Sequence, residues 1–403
     1  MTDPPRAVYL SGMRLAAAMF ALVLALVAQA SAQAPAGEQR IVLVLATWGP
    51  EPISLAEARA TADETEAFVR AASFGRSTVE IELRGWVRAL PARPVGCDVQ
   101  GVDQAIQRAT DLTGYDLVAY VLPGMDCGWG GAYYPPGVWM LGRITKNLFA
   151  HELGHNWGVR EEGPAWVCWT RPCRAENYRS PYSVMGHGDG HFNAFEKRRY
   201  GWIEVAGPAL RNGDHEIARI DRASALPHAL YVLTAADEYW VEYRPEVAWP
   251  VVHAGTSPAA VARSRFPQRN LLLDGARSAR FTVAGAFEVT MTRFDGERAT
   301  LRFRWLDRTR PSRPELTVYR TGRDVSLRFP ATDKGSGVER YQLAIGPRIR
   351  VSVPTARVQG NDLVGVDAVH RVRLPRGVHR VSVVAIDRAG NRGPTATRKV
   401  RVR

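Results

Sequence analysis

The sequence predicts an α/β domain followed by all-β domains of β-sandwich type. Three observations carry this reading. Up to about residue 205, short apolar runs alternate with segments of helical spacing, the order of a sheet covered by helices. After "YGWI" (200–203) the segments are strand-like, with little sign of helix. A Pro- and Arg-rich stretch, "RTRPSRPE", then precedes short strands broken by Gly, Pro and Asp turns. The 403 residues accordingly divide into 38–205, 206–306, a linker at 307–314, and a last module at 315–403.

The first segment stands outside the fold. Arg14 precedes "LAAAMFALVLALVA", an apolar run short for a membrane span, and the small residues "AQASAQA" follow. This is the layout of a secretory signal peptide over residues 1–32. A secreted product is therefore expected, extracellular or periplasmic, with no transmembrane span in the mature chain. Few residues separate this signal from the first strand, so no pro-segment is expected.

"IVLVLA" (41–46) is a continuous apolar run, the mark of a buried strand. "SLAEARATADETEAFVRAAS" (54–73) reads as a helix, with Ser54 and Glu57 in capping-box spacing. "TVEIEL" (78–83) alternates as a strand does. Val102, Ala105, Ile106, Ala109 and Leu112 keep helical spacing, and "LVAYVL" (117–122) is a second buried strand. "EYWVEYR", "ARFTVA", "AFEVTMTRF" and "ATLRFRW" supply strands to the middle domain, and "LTVYR", "VSLRFP", "RYQLAIG" and "RVSVVAID" to the last.

The four cysteines, Cys97, Cys127, Cys168 and Cys173, are even in number and confined to one part of the chain. In an exported protein they fit two disulfides better than a metal site. Pairing Cys168 with Cys173 closes a short loop and leaves Cys97 with Cys127. The two other pairings stay open.

Charge is unevenly placed. The chain carries 53 Lys and Arg against 40 Asp and Glu; from Asp307 onward the count is 21 against 8, so the remainder balances at 32 each. The basic character belongs to the last module. It suits attachment to an anionic cell-surface polymer, although a solvated basic face is the simpler account. No aromatic-interleaved basic motif marks a specific nucleic-acid binder.

The chemistry concentrates in "HELGHNWGVREEG" (151–163). His151 and His155 stand four residues apart, one helical turn, and present two imidazoles on one face. That pair can hold one Zn2+, and Glu152 lies beside it to take a proton from a water whose pKa the metal lowers. Catalytic zinc needs a third protein ligand and an open position. Gly158 can take a positive φ, end the helix and turn the chain back towards the metal.

These residues, with "YSVMG" around Met185, "GHFNAFEKRRYGWI", "SFGRSTVEIELRGW" and "CGWGGAYYPPGVWM", resemble the metzincin zinc metallopeptidases, and among them the gametolysin-like family. The resemblance spans the whole first domain. It implies a zinc-dependent endopeptidase acting on proteins or peptides, with His151 and His155 as ligands and Glu152 as general base. Met185 would form the floor under the metal. The strand before the active-site helix, within Gly131 to Leu141, would line the cleft and pair with substrate. The family pattern has histidine at position 161, where this chain has Glu161; two His and one Glu is a competent zinc set, so Glu161 is the expected third ligand. Its neighbour Glu162, or His187 or His191 near the methionine turn, are the alternatives. His187 lies two residues after Met185, where a cationic ring could stabilise a developing oxyanion. "ATDKGSGVERYQLAIG" and "VVAIDRAGNRG" resemble bacterial immunoglobulin-like or fibronectin-like modules, a likeness of fold and not of function. The competing functional class is a non-catalytic extracellular binding or adhesion protein on a degenerate metzincin scaffold; an intact Glu152 argues against it.

Overall fold

The computed structural model describes residues 37–167, 174–188, 190–208, 210–256, 270–273, 278–359, 362–365 and 368–403. The signal-peptide reading falls on residues outside this set, as do Cys168 and Cys173. The described chain is mostly β, arranged in several sheets.

The first part comprises β1 (Gly37–Ala46), α1 (Leu55–Ala72), β2 (Ser77–Val87), α2 (Val99–Ala109), β3 (Leu117–Leu122), β4 (Gly131–Tyr134), β5 (Gly137–Leu141) and α3 (Lys146–Asn156). Three short elements follow: β6 (Ala165–Val167), β7 (Arg174–Glu176) and α4 (Ala194–Arg199). A five-stranded sheet runs β2-β1-β3-β5-β4, parallel except for β4. The continuous apolar run of β1 now has its reason, because both faces of this sheet are covered. Ile41, Leu43 and Leu45 pack with residues of α1 and α3, whereas Val42, Val44 and Ala46 pack with Val102 and Ile106 of α2. Ser54 caps α1, its Oγ accepting from the Glu57 amide at 3.1 Å. Leu112 falls beyond the end of α2. Cys97 and Cys127 form a disulfide.

The middle strands are β8 (Gly213–Ala218), β9 (Ala229–Leu233), β10 (Asp237–Glu242), β11 (Val251–Thr256), β12 (Leu271–Leu273), β13 (Arg280–Val283), β14 (Phe287–Phe294) and β15 (Arg298–Trp305). They form two sheets, β7-β6-β12-β11-β10-β9 and β13-β14-β15-β8, which share a core of Val232, Tyr239 and Val241 with Val289, Leu301 and Phe303. The expected boundary at 205 needs correction. β6 and β7 precede it yet join the middle sheet through β12, and Phe195 and Ile203 pack with Tyr231 and Trp240. Parallel pairing of β6 with β12 is a contact of more than a hundred residues' separation, which no local pattern announces.

Residues 308–316 lack regular structure. Beyond them come β16 (Thr317–Thr321), β17 (Asp324–Arg328), β18 (Val338–Ile345), β19 (Ile349–Pro354), β20 (Ala356–Gln359), β21 (Asp362–Gly365), β22 (Val369–Arg373), β23 (Gly377–Asp387) and β24 (Ala396–Val402). Sheets β16-β17-β22 and β19-β18-β23-β24 bury Val325, Leu327 and Phe329 with Tyr341, Leu343 and Val383. β20 and β21 form a separate two-stranded ribbon. Among the described residues, no helix is long and apolar enough to cross a membrane.

Candidate metal centre

Helix α3 places the site. Thr145 caps it, with Oγ accepting from the Leu148 amide at 3.2 Å. Phe149, Ala150 and Leu153 bury one side in the core of the first sheet, which fixes the direction in which His151 and His155 project. Gly154, between the histidines, packs so closely on the methionine turn that a Cβ there would collide with the Met185 sulfur. After Trp157, Gly158 takes φ +95° and reverses the chain, donating to the His155 carbonyl at 2.9 Å.

Each imidazole is held by its outer nitrogen. His151 Nδ1 meets the Val184 carbonyl at 3.1 Å, and His155 Nδ1 meets the Val159 carbonyl at 2.8 Å. Since a carbonyl only accepts, both Nδ1 atoms carry hydrogen, and the Nε2 atoms turn inward, as lone pairs on neutral rings and as N–H donors on protonated ones. Val184, beside Met185, thus orients His151 directly. The turn is pinned in its own right, because the Met185 amide donates to Ser183 Oγ at 3.0 Å and Ser183 Oγ donates to Glu196 Oε2 at 2.6 Å. Glu196 closes a capping box with Asn193 at the start of α4, which is why "FNAFEK" belongs with the site.

The inward atoms make a compact triangle. His151 Nε2 and His155 Nε2 are 3.1 Å apart, and Glu162 Oε2 lies 3.1 Å from the first and 3.3 Å from the second. In a tetrahedral zinc site with bonds of about 2.0–2.1 Å, ligand atoms stand about 3.3–3.4 Å apart. The two-nitrogen, one-carboxylate set therefore fits zinc in donor type and in spacing. Burial works against ionised Glu162, but hydrogen bonds from both histidines hold its carboxyl well below the usual range. Burial likewise disfavours charged His155, yet Glu162 and the Val159 carbonyl raise its pKa, so a proton competes for the place a cation would take.

Glu161, the expected third ligand, lies outside this triangle. Its carboxylate accepts from the adjacent Arg160 amide at 3.1 Å. The register is set by a contact distant in sequence: the Tyr178 amide donates to the Glu162 carbonyl at 2.6 Å and the Ser180 amide to the Gly163 carbonyl at 2.9 Å. That pairing presents residue 162, one position later than the family spacing implies. His187 also stays out of the triangle; its Nδ1 meets the Tyr178 carbonyl at 2.9 Å. His191 sits against Phe68, and burial, helped by Lys197, lowers its pKa to about 4. Glu176 pairs with Arg174 and Arg179.

Two features complete the centre. Glu152 is buried, and burial raises its pKa although His151 and His155 oppose the shift. Its Oε2 has no hydrogen-bond partner. Tyr178, which sequence reasoning missed, stacks on His151 with ring centroids 5.8 Å apart and hydrogen-bonds Glu162 through its hydroxyl. It adopts φ +58°, a sparsely populated conformation for a non-glycine residue, and such positions concentrate at functional sites. No spacing rule links it to the helix motif.

No protein-family model and no curated protein matches the chain. Among solved structures, wild-type OgpA from Akkermansia muciniphila aligns over 90% of this chain and 93% of its own at 9% identity, with a TM-score of 0.23. The PKD1 domain of Vibrio anguillarum Epp aligns over 23% of this chain and 94% of its own at 19% identity, with a TM-score of 0.19. The PKD1 domain of the Vibrio cholerae metalloprotease PrtV covers 23% and 98% at 14% identity, with a TM-score of 0.19. Likenesses this loose leave the functional reading to the geometry of the site.

Proposed function

We propose that the protein is a zinc-dependent endopeptidase of metzincin type, with His151, His155 and Glu162 as ligands. The observation that carries this reading is the 3.1, 3.1 and 3.3 Å triangle of two imidazole nitrogens and a carboxylate oxygen. Zinc bound there would supply a Lewis acid that lowers the pKa of a water and polarises a carbonyl. Glu152 takes the proton of the attacking water on its free Oε2 and returns it to the leaving amine. Its burial favours that role, since a carboxylate of raised pKa is the stronger base. Val184 and Val159 keep both histidines oriented, and Tyr178 holds Glu162.

Peptide as substrate is supported by the sheet edge. β4 is the outermost strand, and at Gly131 it comes so close to Glu152 and Leu148 of α3 that a side chain there would strike both. An extended peptide adding to that edge would run past the base. On this reading the protein acts after export, which the Cys97–Cys127 disulfide suits. The basic last module would hold it to an anionic surface.

The test measures bound zinc and chelator-sensitive proteolysis for the full chain, Glu161→Ala and Glu162→Ala. One zinc per chain and activity are expected for wild type and Glu161→Ala, with both lost in Glu162→Ala. Wild type without stoichiometric zinc would overturn the function; Glu162→Ala with full zinc would overturn the ligand set.

A further inference from the structure

A second cluster lies where the linker meets the last module. Asp307 follows β15, Asp333 lies in the loop between β17 and β18, and Asp387 ends β23. One carboxylate oxygen from each lies within 4.8 Å of the others. All three are buried, Asp387 completely.

Their hydrogen bonds come from neutral groups. Asp307 accepts from the Thr309 amide at 2.8 Å and from the Ser336 amide and hydroxyl at 2.7 Å each. Asp333 Oδ2 accepts from the Gly335 amide at 3.1 Å and the Gly337 amide at 2.7 Å. Asp387 accepts from the Asn391 amide at 2.7 Å and its side-chain amide at 2.9 Å. Among the described residues Arg388 is the buried cation nearby, and its Nη1 donates to the Ser336 carbonyl at 3.0 Å rather than to a carboxylate. Among the described residues, no Lys or Arg nitrogen pairs with any of the three. Asp333 Oδ1 has no partner at all, although the residue is only 8% exposed. An orphaned carboxylate oxygen in a buried acidic cluster is costly unless something positive meets it.

We propose that Asp307, Asp333 and Asp387 bind a calcium ion that fastens the linker to the last module. The donors are all oxygen, which suits a hard cation and not zinc. Two oxygens on one calcium, at about 2.3–2.6 Å, can stand up to about 5 Å apart, and the three here lie within 4.8 Å of one another. Magnesium keeps several of its waters and demands regular octahedral geometry, a poor match for carboxylates closed off this far. The same loop reaches the middle domain, where the Ala235 amide donates to the Gly335 carbonyl at 3.1 Å. The ion therefore sits at the joint of two domains and sets how firmly the last module is held.

The experiment titrates CaCl2 into full-length protein freed of divalent cations and resupplied with one equivalent of Zn2+. Calorimetry follows binding, and thermal unfolding follows stability. Wild type is expected to bind one calcium per chain and to gain about 10 °C in Tm at a hundredfold excess over Kd. Asp333→Asn keeps an acceptor for the Gly335 and Gly337 amides and places a donor at the orphaned position. It should bind calcium at least tenfold more weakly and, in calcium-free buffer, melt above wild type. No binding by wild type up to about 10 mM calcium, beyond the weakest extracellular sites, overturns the proposal. So does unchanged affinity in Asp333→Asn. Glu162→Gln should leave the calcium response intact, which separates this outcome from that of the zinc site.

Discussion

The two clusters, His151–His155–Glu162 and Asp307–Asp333–Asp387, solve opposite problems with similar residue counts. The first sits on one helix and the loop that returns to it; its side chains remain partly open, Glu162 with 28% of its side chain exposed. The second draws one residue from each of three separate segments, the linker, a loop and the end of a strand, and is closed. Nitrogen lone pairs beside one carboxylate suit a borderline cation with a free position, whereas three shut-in carboxylates suit a hard cation held for structure. On the proposed reading, an open site beside a buried base turns over substrate. A closed site at a domain joint can only hold.

The sharpest way to break this comparison is at Glu152. Glu152→Gln removes the base but keeps shape and leaves the ligands untouched. A loss of about 10³-fold in kcat/KM with zinc content unchanged is expected. If activity survives within tenfold, the open cluster is not catalytic in the manner derived. No equivalent experiment exists for the aspartates, where every carboxylate would be a ligand and none a base.

How much of each cluster could be read from the sequence follows from the same contrast. His151, Glu152 and His155 were legible because helix periodicity converts a spacing of four into one face. Gly158 was legible as a turn. Glu162 was not, because the register of the returning chain depends on its pairing with Tyr178 and Ser180 across an intervening excursion. Family spacing favoured Glu161, and the chain takes one residue more. "ATDKGSGV" and "AIDRAGN" were legible as the loops of a β module. That their aspartates meet a third from the linker follows from the sandwich topology, which no local pattern encodes. The same holds for β6 and β12, whose pairing ties the first part of the chain to the middle sheet across the boundary that composition suggested at 205.

A pH series tests the closed cluster by a smaller effect. Burial raises the folded pKa of Asp387 to about 6, above the usual carboxylate range. Below about pH 4 the group is neutral in both folded and unfolded chains, and its contribution to stability is fully present. As pH rises through about 6 the folded state must ionise it against its neighbours, and that contribution is lost. Calcium removes the cost by meeting the charge. The gain in Tm on adding saturating calcium should therefore grow between pH 4 and 6 and level off above. A gain that is flat across this window would mean that the aspartates do not carry the calcium response.

The smallest effect probes the open cluster at Tyr178. Its hydroxyl reaches Glu162 and its ring covers His151, yet it supplies no ligand. Tyr178→Phe keeps the stacked ring and deletes one hydrogen bond to a charged carboxylate, a change of about 1.5–3 kcal/mol at most in a partly exposed setting. If Tyr178 only positions Glu162, zinc affinity should fall by about tenfold while kcat at saturating zinc stays near wild type. If kcat falls instead with affinity unchanged, the hydroxyl acts on the reacting carbonyl, in the role first considered for His187. Because His187 holds the Tyr178 carbonyl at 2.9 Å, His187→Ala should then reproduce a fraction of that loss through the backbone rather than through its own ring. The open cluster would thus be tuned from a loop that supplies it with no ligand, a flexibility the closed one does not have.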